Sequence, residues 1–151
     1  MTYLVTGAGG FVGLNLVEHL LSEGEHVRAL NDRPVPQAAL ARFCALPGRV
    51  EVIQADVRDR AAMARALAGA AGVVHAAAIT LGPQAALTPA RLAIEVNTLS
   101  TAILLEEARR AGVGRVVYPS SSAVYGAAPF EGVPVTEEPP RRWSPRPPAT
   151  G

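Results

Sequence analysis

The chain has 151 residues, a formal net charge of +1 and a single cysteine. A chain of that length forms one domain and buries about 70% of the surface that its unfolded form exposes, which is enough for a hydrophobic core. The basic residues are scattered rather than clustered, so the charge gives no support for binding to nucleic acid or an anionic membrane. The lack of a basic leader or a long apolar run predicts a cytoplasmic protein.

The first predicted element is a buried strand, Thr2–Thr6, which runs directly into a glycine-rich turn. Leu14, Val17 and Leu21 then recur at helical spacing, so the glycines occupy a strand-to-helix turn. Glycine there lets the backbone approach a diphosphate closely, and the free N–H groups at the helix start face an anion. We therefore expect a phosphate-binding segment made of Gly7, Gly9, Gly10, Phe11, Val12 and Gly13.

Strands and helices alternate along the chain as far as residue 118. The predicted strands cover 27–30, 50–54, 73–75 and 116–118, and the predicted helices cover 36–46, 59–69 and 89–112. Asp59 is expected to cap the third helix, and Cys44 to be a small buried hydrophobe in the second. This alternation predicts an α/β fold, a Rossmann-like doubly wound parallel sheet in the order 3-2-1-4-5 with helices on both faces.

The composition changes near the C-terminal end. Seven of the thirteen prolines lie between residues 127 and 151, which predicts a loop there. We expect a dinucleotide-binding domain at 1–126 and a Pro-rich loop at 127–151. The three histidines share no metal-ligand spacing, so no metal site is expected.

The residues after the second strand are Asn31, Asp32 and Arg33. In a dinucleotide fold an acidic side chain about twenty residues beyond the glycines binds the adenine ribose, and Asp32 lies 19 residues after Gly13. This spacing favours NAD. Arg33 would suit the 2′-phosphate of NADP, and Asn31 is an alternative to Asp32 for the ribose position. A turn without a ligand would explain the same residues.

Two motifs carry a family resemblance. Thr6-Gly7-x-x-Gly10-x-x-Gly13 and the stretch from Val116 to Gly126, VVYPSSSAVYG, together resemble the extended branch of the short-chain dehydrogenase/reductase superfamily, the NAD-dependent nucleotide-sugar epimerases and dehydratases. The resemblance implies an NAD cofactor, a nucleotide-sugar substrate and hydride chemistry at a hydroxyl-bearing or keto carbon. It also implies a homodimer formed through the 89–112 helix, which has apolar residues on more than one face.

The resemblance also implies site residues. Asp56 would accept a hydrogen bond from the adenine amine and Val57 would add an apolar contact, while Ser121 would hold the substrate oxygen. The further cofactor-binding residues implied are His75, Ala76, Ala77 and Asn97.

The acid/base pair of the family, Tyr-x-x-x-Lys, is absent because all fourteen basic residues are arginine. In relatives the pair lies at or just past the position of Gly151. We therefore expect this chain to bind dinucleotide weakly and not to turn over. A non-catalytic dinucleotide sensor is the alternative, and a remnant that no longer binds cofactor is a third reading.

Overall fold

The computed structural model describes residues 1–80 and 89–121, and the chain divides into two compact units, Met1–Pro119 and Ser120–Gly151. The first unit contains a five-stranded sheet in which every pairing is parallel and the order is β3-β2-β1-β4-β5, as predicted. The strands are β1 (Thr2–Thr6), β2 (His26–Asn31), β3 (Arg49–Gln54), β4 (Gly72–His75) and β5 (Arg115–Val117).

The helices lie between these strands. They are α1 (Phe11–Ser22), α2 (Gln37–Cys44), α3 (Arg60–Leu67), α4 (Ala90–Ile94) and α5 (Ser100–Arg110), with a π-helical segment at Glu95–Leu99. The predicted cap is confirmed, because the Asp59 carboxylate accepts hydrogen bonds from the backbone N–H groups of Ala61 and Ala62 at 2.9 and 3.1 Å. No helix in the two described ranges is long and apolar enough to cross a membrane.

Alternating side chains divide the core between the two faces of the sheet. Leu4 packs in a cluster with residues of α3 and α5, whereas the next residue, Val5, packs with residues of α1 and α2. Side chains along a strand point to opposite faces in turn, so each helix layer has its own apolar partner surface. Leu4 and Val5 are both fully buried, which places β1 at the centre of the fold.

The predicted helix over 89–112 is present but interrupted. The π-helical segment widens its middle, and the Ser100 hydroxyl donates to the carbonyl of Val96 at 2.5 Å while the Thr101 hydroxyl donates to that of Asn97 at 2.9 Å. These side chains satisfy carbonyl groups at the wide turn. Periodicity did not reveal the interruption, because one extra residue in a turn leaves the apolar pattern almost unchanged.

The expectation for Cys44 is wrong, since its side chain is exposed. The preceding residue, Phe43, occupies the core position of α2 and is 2% exposed. One step along a helix turns a side chain by about 100°, so Cys44 faces away from the sheet.

Candidate functional site

A cavity of about 360 Å³ lies at the carboxyl ends of β1, β2, β3 and β4. Loops from the two sides of the strand-order reversal, after β1 and after β4, meet there, which is where open α/β sheets bind ligands. Nine of the predicted site residues line it: Gly7, Gly10, Asn31, Asp32, Arg33, Asp56, Val57, Ala76 and Ala77. The lining also includes residues that the sequence analysis did not assign: Ala55, Arg58, Ala78, Ile79, Leu92 and Val96.

The glycine turn brings three backbone segments together. Gly7 has a φ of +66°, and a Cβ there would lie 2.7 Å from the backbone nitrogen of Ala77. A Cβ on the buried Gly13 would overlap the carbonyl oxygen of Gly7 and lie 2.7 Å from the Cα of Ala8. The turn after β1 therefore packs against both the end of β4 and the start of α1 without room for a methyl group.

The N terminus of α1 has the features of an anion-binding helix end. Its N-cap residue is Gly10, no side chain caps the helix, and no acidic residue lies in the first turn. The first N–H groups of a helix have no intrahelical acceptor, and the helix dipole adds partial positive charge. The side chains of Phe11 and Val12 are 86% and 51% exposed, so these residues contribute backbone rather than core packing.

Asn31 ties the turn after β2 to the glycine turn. Its Oδ1 accepts a hydrogen bond from the N–H of Gly9 at 3.1 Å, and its Nδ2 donates to the carbonyl of Arg33 at 2.9 Å. The neighbouring Asp32 carboxylate is exposed and lies 3.9 Å from the Arg33 Nε. Since the Asn31 amide is engaged internally, Asp32 presents the accessible oxygen atoms at this rim.

The Asp56 carboxylate faces the Arg58 guanidinium. The Arg58 Nη2 donates to Asp56 Oδ2 at 2.6 Å, and the Arg58 backbone N–H donates to Oδ1 at 2.8 Å. The side-chain hydrogen bonds from Arg58 hold the pKa of Asp56 below its ordinary value. Arg58 also reaches Glu95 in the π-helical segment, where its Nη1 lies 2.7 Å from Oε2. The sequence analysis missed Arg58, although its position two residues after Asp56 was a local signal for this turn.

Among the predicted residues outside the cavity lining, His75 and Asn97 make hydrogen bonds to segments next to it. His75 is 1% exposed, and its Nδ1 lies 2.7 Å from the hydroxyl oxygen of Thr6. The same Thr6 oxygen accepts the N–H of Ala77 at 3.2 Å, so one hydroxyl contacts both His75 and the backbone after β4. Burial lowers the pKa of His75, which favours the neutral imidazole.

Asn97 holds the loop that follows β4. Its Oδ1 accepts the N–H of Ile79 at 2.7 Å and its Nδ2 donates to the Ile79 carbonyl at 2.9 Å. In the structure both polar atoms of the Asn97 side chain are therefore bound to backbone.

Five other assigned residues complete the comparison with the sequence. Gly9, Phe11, Val12 and Gly13 belong to the turn and helix start but not to the cavity lining. Ser121 belongs to the second unit and is exposed. The predicted Pro-rich loop and Tyr125 lie outside the described residues.

The chain is similar to known proteins over most of its length. A family model described as the NAD dependent epimerase/dehydratase family matches residues 3–148. The chain is 42% identical over 132 residues to sterol demethylase protein B of Methylococcus capsulatus, covering 85% of this chain and 37% of that protein. It is 33% identical to a UDP-glucose 4-epimerase of Streptomyces lividans, covering 93% of this chain and 41% of that protein.

A solved structure gives the same result for the fold. UDP-glucose 4-epimerase from Bifidobacterium longum, in complex with NAD⁺ and UDP, aligns with a TM-score of 0.79 and 32% identity over 93% of this chain and 42% of that one. The chain thus spans about two fifths of the length of these relatives.

Proposed function

This chain belongs to the NAD-dependent epimerase/dehydratase family, and we propose that it is the NAD-binding portion of an oxidoreductase of that family. One observation carries the proposal: a single cavity combines the glycine turn, the uncapped N terminus of α1 and the exposed carboxylate of Asp32. The diphosphate, the adenine ribose and the adenine of a dinucleotide would each lie at one of the neighbouring strand ends.

The donor set fits a dinucleotide. The N–H groups at the start of α1 would hold the diphosphate, Asp32 the adenine ribose, and Asp56 with Val57 the adenine. The small side chains of Ala76 and Ala77 leave room at the end of β4 for the rest of the cofactor. NAD is favoured over NADP because a 2′-phosphate would stand beside the Asp32 carboxylate, and Arg33 is 87% exposed rather than fixed over the site.

A bound NAD⁺ would supply the hydride acceptor for oxidation at a hydroxyl-bearing carbon of the substrate. We assign the Ser121 hydroxyl to hold the substrate oxygen while that carbon loses its hydride. The hydroxyl proton needs a base, and the chain contains no lysine to lower the pKa of a tyrosine for that task. The 151-residue chain should therefore bind cofactor without sustained turnover.

A nucleotide sugar is the proposed substrate class, on the strength of relatives named UDP-glucose 4-epimerase. A sterol is the second candidate, because the relative at 42% identity is named sterol demethylase protein B. Saturation-transfer NMR with UDP-glucose and with cholesterol, each in the presence of NAD⁺, tests whether this portion touches either one. A signal from UDP-glucose alone supports the first class, and a signal from cholesterol alone supports the second.

We also propose a homodimer through the helical stretch 89–112, in a cytoplasmic protein. Ile94, Leu99 and Leu105 are large apolar side chains there, and they are 62%, 51% and 49% exposed. Exposed apolar side chains on one helix favour self-association. Light scattering should show the wild type as a dimer or larger and Leu99→Glu as shifted toward monomer. A wild type that is monomeric at all concentrations would favour the dinucleotide sensor over the dimeric enzyme portion.

The cofactor assignment is tested by isothermal titration with NAD⁺ and by the fluorescence of NADH. We expect saturable binding of both, with inorganic diphosphate competing. Absence of binding by either dinucleotide would overturn the proposal and leave a structural remnant.

A further inference from the structure

Arg58 lies at the centre of an ion-pair chain that spans one wall of the cavity. Its Nη2 and Nε contact both oxygen atoms of Asp56, at 2.6 to 3.1 Å, and its Nη1 contacts Glu95 at 2.7 Å. Glu95 in turn accepts a hydrogen bond from the Nε of Arg91 at 2.7 Å. These ion pairs therefore join the turn after β3 to the helical stretch that carries Leu92 and Val96 of the lining.

We propose that Arg58 is a positioning residue for the adenine half of the dinucleotide, acting by orienting the Asp56 carboxylate. The proposal rests on the proposed function, since it requires the cavity to hold a dinucleotide. The diphosphate belongs at α1 and the ribose at the end of β2, so the next strand outward, β3, is where the adenine falls. Asp56, Val57 and Arg58 are the lining residues at that end.

The geometry of the pair argues for orientation rather than for stability. A guanidinium presents its donors in a fixed plane and holds a carboxylate at two points, which fixes the direction of the remaining lone pairs. The side chains of Arg58 and Asp56 are 36% and 41% exposed, and ion pairs at such positions add little to folding stability. Orientation of the carboxylate contributes more to ligand binding than to folding stability, because its oxygen atom must meet an amine at one place on the ligand.

Lysine cannot replace the arginine in this arrangement. An ammonium group is a point charge on a flexible stem and cannot contact both Asp56 oxygen atoms and Glu95 together. Arg58→Lys therefore keeps the charge and removes the orientation. Arg60 offers a matched control, because it pairs with Glu106 and Glu107 at 2.7 and 2.6 Å but does not line the cavity.

The test measures three probes against the same proteins by isothermal titration: NAD⁺, AMP, and nicotinamide mononucleotide, which lacks the adenine. In Arg58→Lys and Arg58→Gln we expect the Kd of NAD⁺ and of AMP to rise about tenfold, which is the loss of one oriented charge-assisted hydrogen bond, and that of the mononucleotide to stay within twofold. Arg60→Gln should leave all three unchanged. In an Asp56→Asn background, Arg58→Gln should add no further loss.

Equal loss for all three probes, or a full effect of Arg58→Gln in the Asp56→Asn background, would overturn the positioning role. So would normal AMP affinity in Arg58→Lys. Thermal melting checks that each variant is folded. Glu95→Gln removes only the ion pair between Arg58 and the helical stretch, and we expect it to raise the Kd of AMP by a smaller factor. Failure of the wild type to bind NAD⁺ would refute the proposed function itself, whereas wild-type binding with unaffected variants would refute only the role of Arg58.

Discussion

Two alanine substitutions in the glycine turn should separate folding from ligand binding. The nearest atoms to a Cβ at Gly13 are backbone: it would overlap the carbonyl oxygen of Gly7 and lie 2.7 Å from the Cα of Ala8, whereas ordinary contact begins near 3.4 Å. The Ala8 contact alone requires a separation of about 0.7 Å, and the overlap with the Gly7 oxygen requires a larger one. A Cβ at Gly10 would meet a single atom within 4 Å, the carbonyl oxygen of Gly7 at 3.3 Å, so a shift of about 0.1 Å is enough.

The energies follow from these distances. Overpacking a buried site costs about 1–3 kcal/mol, and Gly13→Ala belongs at the upper end because rigid backbone must move. At about 2–4 °C per kcal/mol for a domain of this size, its melting temperature should fall by about 6–12 °C. Gly10→Ala loses a favourable N-cap residue but restricts the unfolded chain, so its stability should stay within about 1 kcal/mol of the wild type.

Gly10→Ala, which should leave stability nearly unchanged, should instead impair NAD⁺ binding. Gly10 lines the cavity at the start of α1, so a methyl group there stands where a diphosphate approaches the backbone. We expect Gly10→Ala to raise the Kd of NAD⁺ at least tenfold while melting normally. Thermal melting by circular dichroism and isothermal titration measure both quantities. Normal NAD⁺ affinity in Gly10→Ala, or normal melting in Gly13→Ala, would refute this account of the turn.

Further predictions concern the support of the site and its cofactor preference. Thr6→Val leaves the buried His75 ring nitrogen without its partner and should cost about 1–3 kcal/mol in urea unfolding, more than Thr2→Val, whose hydroxyl lies in a partly exposed pair. Burial puts the pKa of folded His75 below the value of about 6.5 of the unfolded chain, so its contribution to stability is present above pH 6.5 and is lost as the pH falls toward the lowered pKa. His75→Gln should therefore reduce the change of the urea midpoint between about pH 7 and pH 5.5. Asp32→Ala should weaken NAD⁺ about tenfold and remove the discrimination against NADP⁺ in a paired titration; unchanged discrimination would mean that another group reads the ribose.

Local sequence signals were sufficient for much of the fold. Asp59 was recognised as a cap because its side chain acts on N–H groups two and three residues away, and the strand order followed from alternation and crossover handedness. The predicted burial of Cys44 was wrong. In a short amphipathic helix the sequence pattern does not distinguish which of two adjacent residues, here Phe43 and Cys44, packs against the sheet. The interruption at Glu95–Leu99 depends on side-chain bonds that no periodicity carries.

The sequence by itself determined which residues gather at the carboxyl end of the sheet, because glycines, strand ends and acidic residues are local features, and nine of the assigned residues line one cavity there. The tertiary structure alone decided how those residues divide their work. Asn31 and Asn97 are bound to backbone, Asp32 is left accessible, and Arg58 bridges Asp56 to a helix that lies 37 residues further along the chain. Such contacts join segments distant in sequence, so their geometry is set only when the sheet brings the strand ends together.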